Sequence, residues 1–227
     1  MQPYFFPYLG YFDLISAVDR WVVFDTAQYI RHGWVNRNRI LHPAKGWQYI
    51  GVPLRKHRRE TPISSIEIST DSTWRSRLLR QLNHYRKKAP RFDETIGFVE
   101  DCLAFQTVSL SRLNVHLLAE TCRLLGVKFE YDVFSEMELD MGPVDGPGDW
   151  ALRICEAMGA TEYINPPGGV DLFDPSAFES VGVNLTIRSF KNVIYPTPGY
   201  EFVEGLSVID MLLWNAPEQV RSCLNCV

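Results

Sequence analysis

Apolar residues recur at helical spacing between positions 9 and 18, and an uninterrupted apolar run follows at 21–24. This order predicts a helix and then a buried strand. Residues 35–54 form two strand-like segments around a connection that contains Pro and Gly, which predicts a β-hairpin. Residues 63–69 alternate between apolar and polar side chains and are predicted to form a further strand.

Three helical apolar stripes fall within residues 71–126, and Gly126 suits a C-terminal cap for the third helix. Beyond this point the predicted elements alternate, with strands at 128–134, 161–166 and 183–190, and helices at 148–159, 175–182, 206–215 and 217–224. This alternation predicts an α/β fold, a largely parallel sheet flanked by helices, with the β-hairpin and the helical segment as insertions. We therefore expect residues 1–227 to form a single α/β domain with a helical lobe at about 71–126.

The composition is that of an ordinary globular protein. The net charge of −4 gives no global reason to expect a nucleic-acid partner or a membrane surface. No apolar run approaches the roughly 20 residues that cross a membrane, so no membrane insertion is expected. Cys102, Cys122 and Cys155 fall in apolar helical patterns, which favours a reducing, cytoplasmic location. The histidines lack the spacing of metal ligands, so we expect no metal.

The opening stretch MQPYFFPY is rich in aromatic residues and proline. In a parallel α/β unit a strand precedes the first loop and helix, so this stretch is interpreted as a strand-to-helix loop. Its leading strand would lie upstream of Met1 or be supplied differently. Such loops lie at the carboxyl ends of strands, where open α/β sheets bind ligands. We therefore expect Gln2, Tyr4 and Phe5 to form one wall of a substrate crevice, on a loop that its prolines stiffen.

The densest group of polar residues is FDTAQYIRHGWVNRNRI, at positions 24–40. Asp25 ends an apolar strand, which is a frequent position for a carboxylate in a binding crevice. If residues 35–40 form a strand, two asparagines share one face and two arginines share the other. Paired guanidinium groups bind phosphate or carboxylate, and paired amides bind sugar hydroxyls. An exposed hairpin with solvated charges is the structural alternative. The candidate binding residues are Gln28, Trp34, Asn36, Arg37, Asn38 and Arg39.

A second candidate segment is GATEYINPPGGVDLFD, at positions 159–174. A predicted strand ends at Asn165, and the following turn exposes backbone groups. Amides near Gly168 and Gly169 could approach an anion closely because no Cβ obstructs them. A tight structural turn is the alternative. Near the C-terminus, Ser207 and Asp210 have the spacing of a helix cap, which is the preferred interpretation for that pair.

Four segments together resemble the WbqC-like protein family: MQPYFFPYLGYFDLI, WVNRNRIL, ICEAMGATEYINPPGGVDLFD and LSVIDMLL. The resemblance extends from residue 1 to about residue 214. Members of that family are typically encoded among genes for O-antigen and other bacterial surface polysaccharides, and the family is suggested to include a glycine transferase that acts on an amino sugar. Many members carry an Asp-Asp pair where this chain has Asp25 and Thr26, so Asp25 is the safer catalytic candidate.

The resemblance implies a transferase that moves an acyl or aminoacyl group onto an amino-sugar or nucleotide-sugar substrate. Arg37 and Arg39 would hold a diphosphate, and Asp25 or Tyr29 would act as general base on the attacking amine. No cofactor is identified, although an activated acyl or aminoacyl donor fits this chemistry. Further expected partners are a carrier protein or a second copy of the chain, and no nucleic acid.

Two other functions stay open. A nucleotidyltransferase-like enzyme has a similar order of strand, loop and helix, but Tyr4 and Tyr11 stand where such an enzyme would carry phosphate-binding histidines. A non-catalytic binding or assembly factor for polysaccharide enzymes would present the first eight residues as an exposed aromatic surface.

Overall fold

The computed structural model describes residues 1–224 and has a mixed α/β fold, as predicted. The helices are α1 (Leu9–Ser16), α2 (Trp74–Leu82), α3 (Phe92–Leu103), α4 (Leu110–Leu125), α5 (Asp149–Met158), α6 (Pro175–Ser180), α7 (Val208–Trp214) and α8 (Pro217–Ser222). The strands are β1 (Trp21–Val23), β2 (Arg37–Leu41), β3 (Trp47–Gly51), β4 (Tyr131–Val133), β5 (Glu162–Asn165) and β6 (Asn184–Ile187). The chain divides into two compact units: residues 1–135 with the segment that starts at Asn192, and Glu136–Lys191.

The described strands pair two by two. β1 and β4 are parallel, β5 and β6 are parallel, and β2 and β3 form the predicted antiparallel hairpin. The parallel pairing expected from alternating strands and helices is confirmed. Among the described residues they form three two-stranded sheets, of which β1–β4 and β2–β3 belong to the first unit and β5–β6 belongs to the second.

Met1 lies beside β1 in the position of a parallel strand. Its backbone nitrogen donates to the Val22 carbonyl (2.8 Å), and its carbonyl accepts from the Phe24 N–H (2.8 Å). These bonds use the edge of β1 opposite to the edge that meets β4, where Trp21 N–H donates to Glu130. The residues after Met1 therefore form the expected loop between a strand-like position and α1.

The helices of the first unit bury their apolar stripes against one another. α3 packs on α2, α4 and α7, and α8 packs on α4 and α7. The residues at 63–69, which we expected to form a strand, instead begin with a 3₁₀ turn at Ile63–Ser65 and then make only single bridges. None of the helices in the described part of the chain combines the length and the apolarity that crossing a membrane requires.

The second unit has a small core of its own. Leu152 and Cys155 on α5 pack with Phe178 on α6 and with Val183, which precedes β6. Helix α5 ends at Met158, and the following Gly159 caps it with a left-handed backbone (φ 64°). This unit therefore has its own hydrophobic cluster.

Candidate functional site

The loop that follows Met1 is folded into the core of the first unit. Phe5 and Phe6 are 0% exposed, whereas Gln2 and Tyr4 are half-buried. We expected Phe5 to face a ligand, but its ring is fully enclosed, because burying an aromatic ring removes a large apolar area from water. Gln2 and Tyr4 reach the surface, and their role in binding stays a prediction.

Asn38 holds this loop in place. Its Nδ2 donates to the carbonyls of Phe5 (3.1 Å) and Phe6 (2.8 Å), and its Oδ1 accepts from the Arg39 N–H (2.8 Å). The Ser207 hydroxyl donates to the same Phe6 carbonyl (2.8 Å). Asn38 is 4% exposed, so its amide is committed to backbone groups instead of the expected ligand. Phe6 sits in the left-handed region (φ 38°), a conformation that a non-glycine residue keeps only under such constraint.

Tyr29 and Asn36 form a hydrogen-bonded pair next to the hairpin. The Tyr29 hydroxyl donates to Asn36 Oδ1 (2.7 Å), and Asn36 Nδ2 donates to the Val52 carbonyl (3.0 Å). Burial raises the pKa of Tyr29, against a smaller lowering effect from the charges of Arg37 and Arg31. The phenol is therefore a proton donor at neutral pH, and a role for Tyr29 as general base stays a prediction.

Asp25 joins three elements of the first unit. It follows β1 and is 1% exposed. Its Oδ2 accepts from the hydroxyls of Ser111 (3.0 Å) in α4 and Ser135 (2.9 Å) after β4, and its Oδ1 accepts from the Ser135 N–H (3.0 Å). This geometry makes Asp25 an anchor between these elements, and its proposed catalytic role stays a prediction.

One face of the hairpin carries two arginines among aromatic rings. We call Trp34, Arg37, Arg39, Trp47 and Tyr49 the arginine–aromatic face. The register places Arg39 opposite Tyr49 and Leu41 opposite Trp47, so the rings of β3 share a face with the arginines of β2. Arg37 Cζ lies 3.9 Å from the Tyr49 ring centroid, and Arg39 Cζ lies 5.2 Å from Trp34 and 5.1 Å from Trp47.

The two guanidinium groups have no acidic partner. In the described residues 1–224, neither Arg37 nor Arg39 forms an ion pair with a carboxylate. Arg37 Nη2 donates to the His32 carbonyl (2.5 Å) and Arg39 Nη2 to the Gly205 carbonyl (3.3 Å). Arg39 Nε is buried and has no partner among the described residues. Both guanidinium groups therefore retain N–H groups that could donate hydrogen bonds to a bound anion.

Trp47 and Tyr49 complete this face and were not among the predicted site residues. They are 41% and 37% exposed, and their ring centroids lie 4.9 Å apart at an interplanar angle of 72°. The signal was present in the sequence, because the alternation of WQYIG puts both rings on one side of the strand. Only the register with β2 shows that this side also carries the arginines.

Gly51, opposite Arg37, is required by close packing within the hairpin. A Cβ at this position would lie 2.6 Å from the Asn36 carbonyl oxygen and 2.9 Å from Arg37 Cβ. Gly51→Ala is therefore expected to lower the free energy of unfolding by about 2 kcal/mol, measured by urea denaturation. Gly97→Ala is the matched control, because a Cβ there meets nothing within 4 Å in helix α3. In the control the free energy of unfolding should rise by about 0.5–1 kcal/mol. Equal stability of both variants would contradict the packing argument.

The remaining predicted binding residues lie elsewhere. Gln28 is exposed, and its Nε2 donates to the Arg59 carbonyl (2.9 Å). Asn165 is buried in the second unit, where its Nδ2 donates to the carbonyls of Pro166 (2.7 Å) and Gly168 (3.3 Å). Gly169 has φ 88°, which only glycine adopts readily. These bonds fit a tight structural turn, and ligand binding by Asn165, Gly168 and Gly169 stays a prediction.

Asp210 is a buried acid whose environment the sequence did not indicate. Ser207 caps α7 as predicted, since its hydroxyl accepts from the Ile209 N–H (3.3 Å). Asp210 instead accepts hydrogen bonds from the hydroxyls of Tyr85 and Tyr195 and from the Leu41 N–H (3.3 Å) at the end of β2. Burial raises the pKa of the Asp210 carboxyl. This network ties the hairpin to α7.

The model of the WbqC-like protein family matches residues 2–222 of the chain. The chain is also similar to the uncharacterized protein Rv1507c of Mycobacterium tuberculosis, with 30% identity over 98% of this chain and 96% of that protein. No solved structure matches the chain.

Proposed function

Because the chain belongs to the WbqC-like protein family, we propose that it acts in the biosynthesis of bacterial surface polysaccharides such as O-antigen. In this proposal it is a transferase that moves an acyl or aminoacyl group, for example glycyl, onto an amino-sugar or nucleotide-sugar substrate. The observation that carries the proposal is the arginine–aromatic face, where two guanidinium groups without acidic partners lie among three aromatic rings.

The spacing on this face supports binding of a diphosphate. Residues two apart on a strand point to the same side and lie roughly 7 Å apart. Arg37 and Arg39 can therefore each contact one phosphate of a nucleotide-linked sugar. Trp47 and Tyr49 present ring surface to solvent beside them, which suits a sugar or a nucleobase. The guanidinium groups supply charge, and the rings supply stacking.

The attacking amine must lose a proton during the transfer. Asp25 and Tyr29 are the residues we propose for this step. The charge of Arg37 acts on the Tyr29 hydroxyl, which places Tyr29 close to one arginine of this face. Burial raises the pKa of Tyr29 and the charges of Arg37 and Arg31 offset only part of this rise, so base function by Tyr29 requires a bound substrate that displaces Asn36 from its hydroxyl.

A thermal-shift titration with a uridine diphosphate amino sugar tests the binding part of the proposal. Ligand that binds only the native state raises the unfolding midpoint with its concentration. Arg37→Ala and Arg39→Ala are each expected to weaken apparent binding at least tenfold, since each loses one charge-assisted contact. Arg80→Ala removes an exposed arginine of α2 and should bind like the original chain. No shift in the original chain would overturn the proposal and favour a non-catalytic role.

A nucleotidyltransferase-like function is the second candidate, because the loop between Met1 and α1 follows a strand-like position. Against it, the Tyr11 side chain is buried and its hydroxyl donates to the Gln2 carbonyl (2.7 Å), so it is not free to hold a phosphate. The assembly-factor alternative expected an exposed aromatic opening segment. Four of the first eight residues are instead buried: Pro3, Phe5, Phe6 and Pro7.

A further inference from the structure

The segment from Thr26 to Arg59 contains no acidic residue. It holds eight of the 23 lysine and arginine residues of the chain and none of its 27 aspartate and glutamate residues. The net charge of −4 conceals this asymmetry. The eight cations are Arg31, Arg37, Arg39, Lys45, Arg55, Lys56, Arg58 and Arg59. Such a block of one sign creates a local positive potential that attracts anions.

Part of this charge lies outside the arginine–aromatic face. Arg55 is paired with Glu67. Arg31, Lys56, Arg58 and Arg59 are exposed, and none of them forms an ion pair with another residue in the described range 1–224. These four are called the loop cations below.

The fold holds the loop cations next to Tyr29. Gln28 Nε2 donates to the Arg59 carbonyl (2.9 Å), and the Tyr29 N–H donates to the Thr61 carbonyl (2.9 Å). The Tyr29 and His57 ring centroids lie 5.0 Å apart in an edge-to-face arrangement. Arg31 and Arg37 both act electrostatically on the Tyr29 hydroxyl. Cations of both groups, Arg31 among the loop cations and Arg37 on the arginine–aromatic face, are therefore close to the buried Tyr29.

His57 adds an unsatisfied polar atom to this surface. Its Nδ1 lies 2.9 Å from the Arg55 carbonyl, which only accepts, so Nδ1 carries the hydrogen. Its Nε2 is buried and has no partner among the described residues. Buried polar atoms of native proteins are normally hydrogen-bonded, and Nε2, which accepts in this tautomer, is left for a donor of a bound ligand such as a hydroxyl or amine group.

We propose that the loop cations form a second anion site, which binds the phosphates of the acyl donor, and that this donor is a coenzyme A thioester. Its role as donor rests on the proposed function, whereas the anion site does not. A diphosphate together with a separate phosphate monoester matches several unpaired cations better than the single phosphate of an acyl adenylate does. Tyr29, which is 5% exposed, is then close to cations of both sites.

The transfer step balances without a further reactant. The nitrogen of the amino sugar attacks the thioester carbonyl carbon, a C–N bond forms and the C–S bond breaks. The proton lost by the amine ends on the departing thiol. The products are an amide and free coenzyme A.

Calorimetric titration of the full chain with coenzyme A tests the second site. The combined variant Lys56→Ala, Arg58→Ala and Arg59→Ala is expected to weaken coenzyme A binding at least tenfold. It should leave the thermal shift with the uridine diphosphate amino sugar within twofold of the original. Arg39→Ala should show the opposite pattern, and Arg80→Ala should change neither. If the combined variant fails to fold, Arg31→Ala and Arg58→Ala are measured singly, each with an expected loss of about threefold.

Further ligands separate the possible sources of the phosphates. Dephospho-coenzyme A should bind more weakly than coenzyme A, because it lacks the phosphate monoester. Adenosine monophosphate binding as tightly as coenzyme A would overturn the thioester in favour of an adenylate, and tighter binding of a short single-stranded RNA would overturn it in favour of nucleic acid. No binding of coenzyme A to the original chain overturns this inference alone, whereas a missing shift with the amino sugar overturns the proposed function alone.

Discussion

Asp25→Ala is expected to lower the free energy of unfolding by about 4 kcal/mol, measured by urea denaturation. The substitution leaves three donors without their acceptor: the Ser111 hydroxyl, the Ser135 hydroxyl and the Ser135 N–H. Each buried, unpaired donor costs about 1–3 kcal/mol, and rotation of the hydroxyls recovers part of that cost. The large effect follows from the position of Asp25, because its partners lie on two other parts of the fold. Ser111 belongs to α4, and Ser135 follows shortly after β4.

Two controls separate anchoring by Asp25 from catalysis. Asp19→Ala removes an exposed carboxylate shortly before β1 and should change the free energy of unfolding by less than about 0.5 kcal/mol. Asp25→Asn keeps one acceptor oxygen and should lose only about half as much stability as the alanine variant. If Asp25→Asn were as stable as the original chain but inactive in acyl transfer, the carboxylate would be a catalytic group and its anchoring role would be wrong.

Asn38→Ala is expected to lower the free energy of unfolding by about 3 kcal/mol. The carbonyls of Phe5 and Phe6 and the Arg39 N–H each lose a buried hydrogen-bond partner. The loop should also open more often, because the strained left-handed backbone of Phe6 loses a hydrogen bond that holds it in place. Hydrogen exchange of the Phe5 N–H, which donates to the Trp34 carbonyl (3.0 Å), reports this directly and should become faster.

The matched control for this variant is Asn83→Ala. Asn83 is exposed at the end of α2, and its replacement should shift the free energy of unfolding by less than about 0.5 kcal/mol. Normal stability of Asn38→Ala together with lost binding of the uridine diphosphate amino sugar would contradict the role of Asn38 in holding the loop. Such a result would return Asn38 to the ligand-binding role that the sequence suggested.

Most helices and strands were predictable because their signals are local. The apolar spacing of α4 and the glycine after it predict both the helix and its left-handed cap, and Gly126 has φ 65°. The alternation in residues 35–40 predicts that Arg37 and Arg39 share a face, and the register of β2 and β3 agrees. The prediction of a strand at 63–69 was wrong, because in the described part of the chain this segment makes only isolated bridges, at Glu67 and Ile68, instead of a ladder with a partner strand.

The roles of the buried polar residues were not predictable in the same way. Asn38 and Arg39 are neighbours in one polar stretch of sequence. Asn38 nevertheless donates hydrogen bonds to the Phe5 and Phe6 carbonyls, whereas Arg39 Nε has no partner among the described residues. The Phe5 and Phe6 carbonyls lie more than thirty positions away from Asn38 in the sequence. Nothing in the local spacing distinguishes an amide that meets backbone carbonyls from one that meets a sugar.

The sequence by itself determined the order of the elements, the faces on which the arginines lie, and the segment without acidic residues, because each is a property of neighbouring positions. The tertiary structure alone decided that Phe5 is enclosed, that Asp25 and Asp210 satisfy distant donors, and that Trp47 and Tyr49 lie beside the arginines. The physical reason is that burial and hydrogen-bond satisfaction depend on groups brought together by folding, which a single stretch of chain does not contain.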